Sequence, residues 1–146
     1  MAENRQKIVV GVDGSLHSLE ALRMARKLAG LLDCRIQAVT VWEYPAVLAV
    51  PFPTTDWSPQ VEAEQSLAAA IETAFESTGV PEGLVQSVVA GQPVRVLMEA
   101  SRGAEMLVVG NRGRGGFAGL LLGSVSSTLA AHSHCPVLIV HSPRER

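Results

Sequence analysis

The sequence predicts an α/β fold: a single domain on an open, five-stranded, mostly parallel sheet with helices on both faces. Three observations predict it. Apolar runs that read as strands alternate strictly with amphipathic runs that read as helices, and short connections between them imply right-handed crossovers. Aromatics make up only 4% of the residues, so the core must be built from Val, Leu, Ile and Ala, as in strands buried on both faces. At 146 residues and 47% hydrophobic, the chain has the length of one domain and ample material for its core.

The first strand runs from Lys7 to Val12, and Asp13-Gly14-Ser15 breaks it. Ser15 is a plausible N-cap for a helix from Leu16 to Leu32. There Leu22, Ala25, Ala29 and Leu32 share one face, and Arg23, Arg26 and Lys27 the other. Asp33 marks its end. The second strand is Arg35 to Trp42. The stretch Glu43–Pro59 follows, apolar and carrying Tyr44, Phe52, Trp57 and prolines 45, 51, 53 and 59. Prolines at that density forbid a continuous helix or a central strand. A loop of this length reads either as a lid or partner contact, or as a strap on its own domain.

Pro59 to Thr78 is the second helix, with Ser58 as cap and Leu67, Ile71, Ala74, Phe75 and Thr78 on one face. Gly83 to Ala90 is the third strand. Val94 to Arg102 is a short helix with Val96, Leu97 and Ala100 facing inward. Met106 to Gly110 is the fourth strand, Leu120 to His132 the last helix, and Cys135 to His141 the fifth strand.

Between the fourth strand and the last helix lies the most informative stretch, GNRGRGGFAGLLLGSV, from Gly110 to Val125. Glycines stand at 110, 113, 115, 116, 119 and 123. Glycines at a strand-to-helix junction let the backbone turn tightly and approach a ligand. The helix start offers N–H donors and a positive dipole end to a phosphate. A flexible loop of small residues is the alternative. Ligands in sheets of this kind bind beyond the carboxyl ends of strands where the strand order reverses. If the first and fourth strands meet at that reversal, Asp13 and the glycine stretch form one site. A turn residue resembling an N-cap is the alternative reading of Asp13 alone.

Other chemistries are disfavoured. The GxxxxGK[ST], GxGxxG and GxSxG motifs are absent. His17, His132, His134 and His141 are scattered, and Cys34 and Cys135 have no ligand spacing, so no metal site is expected. Both cysteines read as small buried residues of a reduced protein. No pairing of nucleophile with base suggests efficient catalysis. The net charge of −2 argues against nucleic acid as a partner. From Met106 to Arg144 there is no Asp or Glu, so an anion near the glycine stretch meets no carboxylate from its own segment. The polar start of the chain and the lack of a long apolar run suggest a cytoplasmic protein with no membrane partner.

Within the glycine stretch, Gly110-x-x-Gly113 is followed by nine residues and then Gly123-Ser124. Here the chain resembles the universal stress protein family, in the ATP-binding branch whose signature is GxxG, nine residues, then G[ST]. The opening IVVGVDGS, the TVWE at the second strand's end and the closing HCPVLIV add to the resemblance. It implies one universal stress protein domain over residues 1–146, with strand order 3-2-1-4-5, the adenine-nucleotide alpha-hydrolase-like arrangement. It also implies that the main chain of Gly110, Gly113, Gly123, Ser124 and Val125, with the Ser124 hydroxyl, holds the triphosphate of ATP. Asp13 would face the ribose and phosphates, and Val12 and Val41 would frame the adenine. Mg2+ would arrive through the phosphates. Arg112 and Arg114 either add charge to the phosphates or point to solvent.

The implied role is a nucleotide-dependent regulator of the stress response, acting through an unknown protein partner, with at most slow ATP hydrolysis. The alternatives are an adenylating or pyrophosphatase-like enzyme of the same superfamily, or a nucleotide-free interaction module. The family also suggests a homodimer through the last strand. The sequence agrees, because Val137, Leu138, Ile139 and Val140, after Pro136, form an apolar strand expected at a sheet edge.

Overall fold

The elements β1 (Lys7–Gly11), α1 (Leu16–Leu32), β2 (Arg35–Trp42), α2 (Pro59–Ala74), β3 (Val85–Ala90), α3 (Pro93–Ala100), β4 (Met106–Gly110), α4 (Ser124–His132) and β5 (Val137–Val140) alternate along the chain. They come from a computed structural model that describes residues 5–43, 58–112 and 123–142. The strands form one sheet in the order β3-β2-β1-β4-β5, and every neighbouring pair is parallel. From β1 the chain builds outward to β2 and β3. It then returns to place β4 on the other side of β1. The reversal therefore falls between β1 and β4, where Ile8 pairs with Met106 and Val10 with Val108.

Period-two alternation along these strands sends side chains to two cores. Ile8, Val10, Ile36, Ala38 and Val108 face α1 and α2, meeting Leu22, Ala25, Leu67, Ile71 and Phe75. Val9, Val39, Leu107 and Val109 face the other way, toward Leu97 of α3 and Leu129 of α4. Each fully buried Val, Leu or Ile contributes roughly 1.5–3 kcal/mol. An exposed ion pair such as Arg102–Glu99, at 3.6 Å, adds at most about 1 kcal/mol. The sheet residues therefore hold the frame, and the loops at its carboxyl end are carried by it.

Several element ends differ from those expected. β3 begins at Val85 rather than Gly83, because Pro81–Leu84 closes a turn in which Leu84 N–H donates to Pro81 O at 3.3 Å. α2 stops at Ala74, where Phe75 leaves helical geometry at φ −113, so Thr78 is exposed instead of packed. Leu32 is 44% exposed rather than buried. The last turn of α1 is spent on reversal into β2: Asp33 adopts φ 54 and Cys34 N–H returns to Ala29 O at 3.0 Å. Arg23 and Arg26 do more than face solvent. Arg23 Nε donates to Ala74 O and Arg26 to Thr78 O, each at 3.2 Å, so α1 closes the open carbonyl end of α2.

Cys34 is buried and Cys135 half-buried, both as free thiols. Burial, followed by the Glu105 and Asp33 carboxylates, pushes the Cys34 thiol above its ordinary pKa and keeps it protonated. The stretch Glu43–Pro59 lies, but for Glu43 and Ser58–Pro59, outside the described residues. So do Gly113, Arg114 and the start expected for the last helix, Leu120–Leu122.

Candidate functional site

Two strand-to-helix junctions meet at the reversal point. The first leaves β1. Val12 N–H donates to Val39 O at 2.8 Å, and Thr40 Oγ1 donates to Val12 O at 2.8 Å, so both polar groups of the Val12 backbone are fixed to β2. The Val12 side chain is buried on the α1–α2 face. Asp13 is exposed, and its Oδ1 accepts the Ser15 N–H at 2.9 Å. Ser15 Oγ accepts the Ser18 N–H at 3.2 Å and caps α1. Ser18 Oγ in turn donates to Ser15 O at 2.9 Å.

The second junction leaves β4. Gly110 is its last residue, and α1 crosses directly against it. A Cβ built on Gly110 would lie 2.5 Å from the Cβ of His17 and 2.8 Å from its carbonyl carbon. Such contacts are impossible for a side chain, so glycine here permits the first turn of α1 to rest on the end of β4. The site thereby acquires His17, which sequence reasoning had left unused. Its Nδ1 is buried with no hydrogen-bond partner among the described residues.

Asn111, the next residue, is 7% exposed and ties three elements together. Its N–H donates to Val140 O of β5 at 2.9 Å. Its carbonyl accepts the Gly123 N–H at 2.6 Å and the Ser126 hydroxyl at 2.9 Å. The start of α4 is thus fastened to the end of β4.

Gly123 is the N-cap of α4, in extended geometry at φ −75 and ψ 170, and among the described residues no side chain caps the helix. This corrects the expectation of a helix continuing from Leu120 through Gly123: the extended cap makes Ser124 the first helical residue. The first intrahelical bond at this end is Ser127 N–H to Gly123 O, at 2.9 Å. The N–H groups of Ser124, Val125 and Ser126 therefore have no acceptor within the helix. No acidic side chain lies in the first turn to compete for them. Ser124 is exposed, while the Val125 side chain is anchored in the α3–α4 core.

The sheet order brings Val12, Asp13, Gly110, Arg112, Gly123, Ser124 and Val125 to the two junctions at the reversal. Arg112 is half-buried. Val41, on β2, stands one strand further out, with its side chain in the α3–α4 core and its partner Val89 on β3. Asn111 and Ser126 were absent from the expected site. Ser126 had one legible signal: it stands three residues before Leu129, so a serine falls on a buried helix face. Among the described residues no cluster of His, Cys, Asp or Glu is able to hold a metal ion, and no helix is long and apolar enough to cross a membrane.

Comparison with known proteins follows the same frame. A profile described as the Universal stress protein family matches residues 4–141. A universal stress protein of Mycobacterium tuberculosis is 38% identical over 141 residues, covering 92% of this chain and 48% of that protein. The chain thus spans about half the length of the curated relatives it matches. Among solved structures, a universal stress protein in complex with cAMP is 33% identical, with a TM-score of 0.61, over 95% of this chain and 98% of that one. The hypothetical protein MJ0577 shares the fold, with a TM-score of 0.77 at 19% identity, over 97% of this chain and 99% of that one.

Proposed function

The chain belongs to the universal stress protein family, and from that premise we propose that it binds ATP and acts as a nucleotide-dependent regulator of the stress response. One observation carries the reading: α4 begins on a glycine cap, with no side-chain cap among the described residues, beside the reversal between β1 and β4. Phosphate is the chemistry such a helix start favours, and the solved relative in complex with cAMP is consistent with a nucleotide. In this reading the main chain of Gly110, Gly113, Gly123, Ser124 and Val125 supplies donors to a triphosphate, with the Ser124 hydroxyl, and Arg112 adds positive charge. Asp13, whose Oδ1 accepts the Ser15 N–H, is assigned to the ribose and phosphate end. Val12 and Val41 frame the base.

Mg2+ accompanies the phosphates and neutralises part of their charge. Hydrolysis is slow in this reading, since no residue is assigned as a base. The protein works through a protein partner that reads the bound state. A homodimer forms along β5, an edge strand whose Val137, Leu138 and Ile139 are only half-buried. Calorimetric titration of the purified chain with ATP and Mg2+ tests the reading. About one nucleotide per chain is expected, and no heat of binding would remove the assignment. Light scattering tests the dimer: a mass equal to one 15.5 kDa chain at micromolar concentration counts against it.

A further inference from the structure

We infer that Ser126 is a positioning residue for the phosphate end of the ligand, a role that rests on the nucleotide reading above. Ser126 is the third residue of α4 and is 3% exposed. A buried hydroxyl on a core-facing helix position costs stability unless it finds a partner. Ser126 has one acceptor across the junction and a second at the cap of its own helix. Its Oγ lies 2.9 Å from Asn111 O and 3.2 Å from Gly123 O. A serine carries one hydroxyl proton, so the shorter contact is the bond and the longer one the alternative acceptor.

The consequence is geometric. Gly123 N–H already binds Asn111 O, at 2.6 Å. That bond fixes the position of the cap, while Val125 and Leu129 pack the body of α4 into the core. The Ser126 bond reaches the same carbonyl from a point three residues along the helix and adds a second tie that limits rotation of the first turn about the cap. The Asn111 peptide is itself held by Val140 of β5 at 2.9 Å, so the reference point is the sheet. What this rotation sets is the aim of the Ser124 and Val125 N–H groups. A carbonyl oxygen has two lone pairs, and Asn111 O keeps the Gly123 bond when the hydroxyl is deleted. Loss of the hydroxyl therefore loosens the aim of the donors while leaving the junction closed.

Titrating the full chain with ATP plus Mg2+ and, separately, with adenosine reads the two ends of the ligand independently. Ser126→Ala is expected to weaken ATP binding about tenfold and to leave adenosine affinity within about twofold, because only the phosphate donors are re-aimed. Ser126→Cys, similar in size but a weak donor, replaces the alanine variant should that one fail to fold, with the same split expected. Unchanged ATP affinity, or equal losses for ATP and adenosine, overturns the positioning role while wild-type binding upholds the nucleotide site. A wild-type chain that binds neither ligand overturns both.

Discussion

Helices α1 and α4 begin beside neighbouring strands at the same end of the sheet, yet they treat their first turns in opposite ways. α1 is served by its own loop: Ser15 caps Ser18 N–H, Asp13 holds Ser15 N–H, and Ser18 returns a hydroxyl bond to Ser15 O. α4 starts on Gly123 with no side-chain cap among the described residues. Its nearby polar groups, Asn111 and Ser126, bind each other instead of the first-turn N–H groups. The contrast teaches that a helix start at a sheet reversal is not by itself an anion seat. What decides is whether the local sequence spends its side chains on the N–H groups or leaves them for a ligand.

The largest test of this contrast brings the two junctions into collision. Gly110→Ala places a methyl group against His17, at 2.5 Å from its Cβ, so either α1 or the end of β4 must move. Loss of about 3 kcal/mol of stability is expected by chemical denaturation. A change below about 1 kcal/mol would show that the close crossing is not a constraint.

The next test makes α4 resemble α1. The backbone at Gly123 has φ −75, open to any side chain, so Gly123→Asp supplies the missing cap. Helix stability should rise by a few tenths of a kcal/mol. ATP affinity should fall about a hundredfold, as the carboxylate takes the donors and repels the phosphates. The smallest effect comes from making α1 resemble α4. Ser15→Ala removes the bond to Ser18 N–H and should cost about 1 kcal/mol of stability. ATP affinity should change less than about threefold, the worth of about 0.65 kcal/mol. A large loss of affinity would show that the self-capped junction also serves the ligand.

The alternation of strands and helices was legible because buried parallel strands are short and apolar throughout, with turn residues between them. Ser15 and Ser58 were legible as caps because a cap acts within three residues of itself. The start of α4 was misplaced for the converse reason. Leu120–Leu122 continues an apolar pattern into Gly123, and only the extended backbone of Gly123 reveals where the helix begins. The strand order rested on resemblance, since periodicity says nothing about which strands are neighbours. The bond from Ser126 to Asn111 spans fifteen residues and the contact of Gly110 with His17 spans most of the chain. Neither leaves a local period, so the sequence placed Gly110 at the end of the fourth strand and, by resemblance, at the phosphates, but gave no sign of its contact with His17, and Asn111 was not read at all.

The central claim is that the uncapped first turn of α4 holds the phosphates of ATP. Side-by-side calorimetric titration of wild type and Gly123→Asp with ATP and Mg2+ tests it most directly. The account predicts saturable binding by wild type and a loss of about a hundredfold in a variant whose thermal stability is equal or higher. A folded Gly123→Asp variant that binds ATP as tightly as wild type would contradict it.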